Sequence, residues 1–234
     1  MGLVIQIASW ALWFPLEILG ITAILRAGVR RYPLIFTFMV ATFLFAAAQA
    51  PISLAFYRSD SKLGAWLQTL NAAGESITYT LILSVVISLI YRATAGSGSR
   101  RVLRTILIGA GILAMAVSFA IHYDAQAESG MWIAAWARDA HFCAAILDLA
   151  LWGLLLASRE RDPLLLLLTG GMGIMFAGEA IGAAIRAVAI LYRSGALFYT
   201  GHFFRVLTDS LFLFVWWQAF RRESARRKAV QAAT

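Results

Sequence analysis

From one end of the chain to the other, apolar runs of roughly 19–28 residues follow each other, separated by short polar loops. At about 1.5 Å per helical residue, each run can cross a hydrocarbon core of about 30 Å. Backbone in hydrocarbon must satisfy its own hydrogen bonds, which leaves only helices or closed barrels. These runs are too long for barrel strands and lack strict alternation, so the expected fold is all-α. Only 14% of the residues are charged, against about 25% in a typical soluble domain. The reading is an all-α membrane protein, a seven-transmembrane-helix bundle with spans at about 3–25, 33–57, 64–91, 105–123, 131–157, 163–192 and 196–220. Residues 1–220 form the membrane domain and 221–234 a basic tail, and no soluble domain is expected.

Charge placement gives an orientation. Arg26, Arg30 and Arg31 follow the first run, and Arg92, Arg100, Arg101 and Arg104 follow the third. Arg159 and Arg161 follow the fifth; Arg221, Arg222, Arg226, Arg227 and Lys228 follow the seventh. Against these stand only Arg58, Lys62 and Arg193 on the opposite side. The positive-inside rule then predicts the N-terminus outside and the C-terminus in the cytoplasm. The net charge of +8 is thereby assigned to anionic lipid head groups, and no nucleic acid partner is expected. Cys143, the single cysteine, lies within a span, so no internal disulfide is possible. The N-terminus lacks a charged leader region and a cleavage site, so the first span is expected to be retained. "MGLVIQ" has Gln6 where a myristoylation pattern needs Ser or Thr.

Ionisable residues interrupt this apolar background. Glu17, Glu75, Asp139, Asp148, Glu179 and Asp209 lie within spans, with Arg138, Arg186, Arg205, His141 and His202, and with His122 near the end of the fourth. Each costs about 2.5–3.5 kcal/mol at a helix centre on insertion scales, so such groups face the bundle interior and pair. At about 100° per residue they form stripes. Gln68, Asn71, Glu75 and Thr78 share one face of the third span, and Arg138, His141 and Asp148 one face of the fifth. Glu179, Gly182 and Arg186 do so on the sixth, and His202, Arg205 and Asp209 on the seventh. By depth, Glu75, Glu179, Arg205 and Asp209 are central, while Arg138, His141, Arg186 and His202 lie toward the outer leaflet. Convergence of the stripes would give an outward-opening polar pocket. A purely structural ion-pair network is the competing reading, but six carboxylates face three arginines and pairing alone leaves acids over. "GGMGIMFAGEAIG" over residues 170–182 is read as helix packing through Gly171, Gly178 and Gly182. Trp216, Trp217, Trp66 and Trp132 are read as interfacial anchors. Pro33 and Pro163 are expected to start helices.

Specific chemistries fare less well. Retinal needs a lysine in the last helix, and the only lysines are Lys62 and Lys228. His141 and His202 could ligate haem, but their depths differ by roughly 6 Å. No H-x-x-x-H or H-E-x-x-H cluster is present, so no metal ligands are assigned; His141, His202, Glu75 and Asp209 could still converge from separate helices. "AGSGS" lacks the lysine of a phosphate loop. A transporter would favour broken helices, for which the glycines of the sixth span are a candidate.

"WFPLEIL", "RRYPLIFTFMV", "GESITY", the "ARDAHF" start of the fifth span, "GGMGIMFAGEAIGAAIR" and "FFRVLTDSLFLFVWW" together resemble an uncharacterised family of standalone bacterial seven-helix membrane proteins. The layout is also similar to the seven-helix sensor regions that precede bacterial histidine kinases. The resemblance implies a seven-helix bundle and no established activity. The chain ends soon after its seventh span, so no kinase of its own is expected; the expected place is the bacterial inner membrane, and any signal would have to pass through a separate cytoplasmic protein. The expected function is a sensor or ligand-binding module for a small polar or charged ligand, held by Glu75, Arg138, His141, Glu179, Arg186, His202, Arg205 and Asp209. The alternatives are a small-molecule or proton-coupled transporter or channel, and an intramembrane metal or haem enzyme.

Overall fold

The computed structural model describes residues 2–57, 63–94, 98–123, 131–157 and 162–233. Among them it contains seven α-helices: α1 (Gly2–Ala27), α2 (Pro33–Tyr57), α3 (Leu63–Ala93), α4 (Gly98–His122), α5 (Met131–Ala157), α6 (Pro163–Leu191) and α7 (Gly195–Ala233). A short 3-10 turn at Val29–Arg31 joins α1 to α2, and no strand is present among the described residues. Arg58, Lys62, Arg159 and Arg161 fall outside the described residues, as do the side chains of Trp66, Gln68 and Arg100.

The second and fifth spans start and end where the hydropathy places them. Two ends differ. Helix α4 begins at Gly98 rather than near 105, and α7 continues to Ala233, so the basic tail is a helical extension. Hydropathy marks where apolar residues stop. The flanking Arg, Ala and Lys residues remain good helix formers and prolong the backbone hydrogen bonding.

Helices α1 to α6 are long and apolar enough to cross a membrane. Helix α7 is longer than any of them, but Arg205 and Asp209 dilute its apolar character. The exposed faces are themselves apolar, with Leu113, Phe142 and Leu149 among the most exposed side chains. Contiguous surfaces of this kind are rare on water-soluble proteins. The architecture is that of a multi-pass membrane protein.

Local signals fix several helix ends. Asp162 caps α6, its Oδ1 accepting from Leu164 N at 2.9 Å and Leu165 N at 3.4 Å, and Pro163 occupies the first turn. Helix α1 stops at Gly28, whose φ of +99° suits a residue without Cβ. The last carbonyl of α1, on Ala27, accepts a hydrogen bond from Arg227 of α7. A cation at the carbonyl end of a helix also complements its dipole. Glu223 joins this contact, 3.0 Å from Arg227 and 3.6 Å from Arg31, and Tyr32 stands edge-on to Phe220.

The chain divides into two units, Met1–Tyr32 with Asp162–Thr234, and Pro33–Arg161. In the second, α3 packs on α2 and α5, and α4 packs on α5. Its core includes Ile35 and Met39 of α2, Val85 and Leu89 of α3, and Ala144 and Leu151 of α5.

In the first unit, α7 packs on α1 and on α6. Helices α6 and α7 form an antiparallel hairpin turned at Tyr192–Ser194, and glycines set their separation. A Cβ on Gly182 would lie 2.8 Å from the Gly201 carbonyl, and a Cβ on Gly201 would lie 2.8 Å from the Gly182 carbonyl. A Cβ on Gly178 would overlap Thr208, and one on Gly171 would lie 2.9 Å from the Trp216 ring. Helix α6 is unbroken, so these glycines are packing sites and not a break in the helix. Trp216 is not an interfacial anchor: it is fully buried, and its indole Nε1 donates to the Leu168 carbonyl at 2.9 Å.

Gly182→Ala and Gly201→Ala each press a methyl against backbone, which cannot rotate away. Each is expected to cost about 1–3 kcal/mol, measured by thermal unfolding in detergent. Gly109→Ala and Gly153→Ala, where a Cβ meets nothing within 4 Å, are expected to leave the unfolding midpoint unchanged or slightly raised.

Candidate functional site

The hairpin of α6 and α7 gathers five of the eight residues singled out in the sequence. The close approach at Gly182 and Gly201 brings Glu179 of α6 and Arg205 of α7 to one level, and Arg205 Nη2 lies 3.1 Å from Glu179 Oε1. One turn further along α7, Asp209 Oδ2 lies 3.7 Å from Arg205 Nε. A single guanidinium thus stands between two carboxylates. All three side chains are largely enclosed, with Glu179 at 17%, Asp209 at 15% and Arg205 at 31% exposure. Asp209 Oδ1 is buried and has no hydrogen-bond partner among the described residues. Toward the α6–α7 turn lie Arg186 and His202. The stem of Arg186 packs over Gly201, and His202 is within Coulombic reach of both Arg186 and Arg205.

The remaining three belong to the other unit. Glu75 is exposed on α3 and makes no hydrogen bond or ion pair among the described residues. Arg138 is exposed on α5. His141 is half-buried, its ring 4.4 Å from that of Tyr79. The polar stripe of α3 divides. Asn71 turns to α2 and accepts a hydrogen bond from Gln49, while Glu75 stands apart. On α5, Asp148 is buried and unpartnered among the described residues. Glu17 is buried on α1.

One polar cluster was not anticipated. Asp139 of α5 accepts from Ser118 at 2.6 Å and meets His122 Nε2 at 3.1 Å, both on Oδ2 and both from α4. The signal was present, since Ser118 and His122 are four residues apart and so share a helix face. Phe119, Tyr123 and Trp132 pack edge-on and stacked beside it, and Trp136 Nε1 donates to the Met115 carbonyl at 3.2 Å. A serine nucleophile would donate to the histidine, with the carboxylate behind it. Here serine and histidine share one carboxylate oxygen, so the arrangement ties α4 to α5 and does not activate Ser118.

Comparison of the chain with family models, with curated proteins and with solved structures finds no match. The chemistry of the hairpin site therefore rests on its geometry. Both carboxylates depend on Arg205, and removing that charge leaves two acids in one small enclosed volume. Arg205→Gln is expected to destabilise more than Glu179→Gln or Asp209→Asn. A double-mutant cycle on Glu179 and Arg205 should return a coupling of about 1.5–3 kcal/mol, read from unfolding in detergent. Coupling near zero would show that the pair is not formed.

Proposed function

We propose that this protein is a membrane-embedded sensor or binding module whose ligand site is the charged hairpin of α6 and α7. Glu179, Arg205 and Asp209 form its centre, and Arg186 and His202 lie on the approach from the turn. In this reading the turn faces outward and the basic ends of the helices face the cytoplasm of a bacterial cell, as the arginine distribution predicts.

Two features of the charges support a site. One arginine serves two acids, so the centre carries an excess negative charge when both are ionised, in a segment where uncompensated charge is costly. Asp209 Oδ1 is buried without a hydrogen bond among the described residues, and buried polar atoms ordinarily have partners. A structural tie between two helices needs neither.

The observation that carries the sensor reading is the continuity of α7. One 39-residue helix holds Arg205 and Asp209 in the site and, further along, Glu223 and Arg227 in contact with the end of α1. Transporters build midplane sites from interrupted helices, and neither α6 nor α7 is interrupted. A displacement at the site is thus passed along a rigid element to the basic end, where Arg221, Arg222, Arg226 and Lys228 are exposed to lipid head groups or to a separate signalling protein.

Native mass spectrometry of gently purified protein, with a small-metabolite thermal-shift screen, tests the site. A bound or stabilising small molecule lost in Asp209→Asn is the expected result. Pyranine-loaded proteoliposomes test the competing activity, and the wild type is expected to leave a proton gradient intact. Dissipation of the gradient that is lost in Asp209→Asn would make the protein a proton-coupled transporter instead.

A further inference from the structure

Within the hairpin, Arg186 is the group whose position the centre does not account for. It makes no hydrogen bond or ion pair among the described residues. An arginine five residues from the end of an apolar helix normally extends its head to the nearest membrane surface. Arg186 does the reverse. Its Nη1 lies 3.6 Å from where a Cβ of Gly182 would sit, so the guanidinium hangs one turn back along α6, away from the turn and toward the centre. Helix direction accounts for this aim, because side chains tilt toward the N-terminus of their helix and α6 runs from the centre to the turn. Gly182 and Gly201 leave room for it, and the same Cβ position on Gly182 lies 3.4 Å from Arg205 Cβ.

The hairpin therefore carries an ordered separation of charge. Glu179 and Asp209 with Arg205 make its middle negative when both acids are ionised, and the Arg186 guanidinium makes the turn side positive, with the His202 imidazole beside it as a hydrogen-bonding group. From the level of Gly182 to that of Glu179 is three residues, or about 4–5 Å along the axis. The Arg186 head and the Glu179 carboxylate are not in contact. Resting on the reading of this hairpin as a ligand site, we propose that the ligand is a compact zwitterion. Its ammonium group meets Glu179 and Asp209 Oδ1, and its acid group meets the Arg186 fork and His202. Free α-amino acids have this chemistry, with both charges on one carbon, and so do zwitterionic lipid head groups.

The test uses the full chain in nanodiscs of phosphatidylglycerol, which has no zwitterionic head group. The twenty standard α-amino acids are probed, each beside its methyl ester and its N-acetyl derivative, by thermal unfolding and native mass spectrometry. At least one amino acid should raise the unfolding midpoint and neither of its derivatives should. Arg186→Gln should weaken that binding by about tenfold or more, and Arg186→Lys should restore part of it. Unliganded unfolding midpoints close to wild type certify that both variants fold. If phosphatidylethanolamine alone stabilises the protein through Arg186, the zwitterion is a lipid head group and the chemistry of the site stands. Equal binding of an N-acetyl derivative or of a methyl ester, or binding indifferent to Arg186, would overturn the zwitterion. So would the absence of any hit in the panel and with phosphatidylethanolamine. If a ligand of other chemistry depends on Asp209 while the panel fails, the hairpin is still a site and only the zwitterion falls.

Discussion

The closeness of α6 and α7 at Gly182 and Gly201 is the contact on which the arrangement of charges depends. Each glycine presents hydrogen where any other residue would press a carbon against the carbonyl opposite. Without a hydrophobic drive between helices in lipid, such close packing is what holds them together. It also fixes their register. Trp216 then reaches the Leu168 carbonyl at one end of the hairpin, Thr208 fills the space left by Gly178, and Arg205 meets Glu179 between Thr208 and the Gly182–Gly201 contact. A hairpin set a few ångströms wider would leave that guanidinium short of α6.

This packing also explains how several ionisable groups share one apolar hairpin. Arg205 carries five N–H donors in a rigid fork, and the register offers it an acid from each helix. The ion pair across the helices and the pair within α7 are therefore parts of one arrangement. Burial alone favours neither. Enclosed ion pairs recover their desolvation cost only when geometry is good and the remaining lone pairs are met, and here one oxygen of Asp209 is not met among the described residues. Such a centre is poor as a structural tie and well suited to a ligand that brings a donor of its own.

Much of the fold was legible in the sequence because hydrophobic length is a local property. Apolar runs bounded by Pro33, Pro163 and the arginines are readable without knowing what packs where. The tail was not, since loss of hydropathy at Arg221 is silent about helix continuation. The stripes on the sixth and seventh spans were legible for the same local reason, as residues three or four apart share a face. Convergence is not local. Asn71 lies on the same stripe as Glu75, yet it finds Gln49 on α2. Asp139 differs from Arg138 by one position, or about 100° of rotation, and that rotation turns it to Ser118 and His122. Trp216 shows the limit most sharply. Position near a helix end suggested the interface, but the missing side chain of Gly171 made room for the ring in the core.

The hairpin and the capped end of α1 belong to one mechanical chain. Between Asp209 and Glu223 lie three to four turns of continuous helix. A helix of that length transmits rotation or translation but absorbs little of it, because bending it sacrifices backbone hydrogen bonds. On the proposed reading, a ligand that took a carboxylate away from Arg205 would change the pull across the hairpin. The glycine contacts resist separation and sliding, which would leave a small rotation of α7 as the response. At its far end that motion would act on the hydrogen bond from Arg227 to the Ala27 carbonyl and on the bridge through Glu223 to Arg31. Arg31 is exposed and Arg227 half-exposed, but the Glu223 carboxylate between them is largely enclosed, so both ion pairs depend on one carboxylate and would shift together. A rigid helix between a charged centre and an end held by charges is what the proposed sensor reading asks of α7.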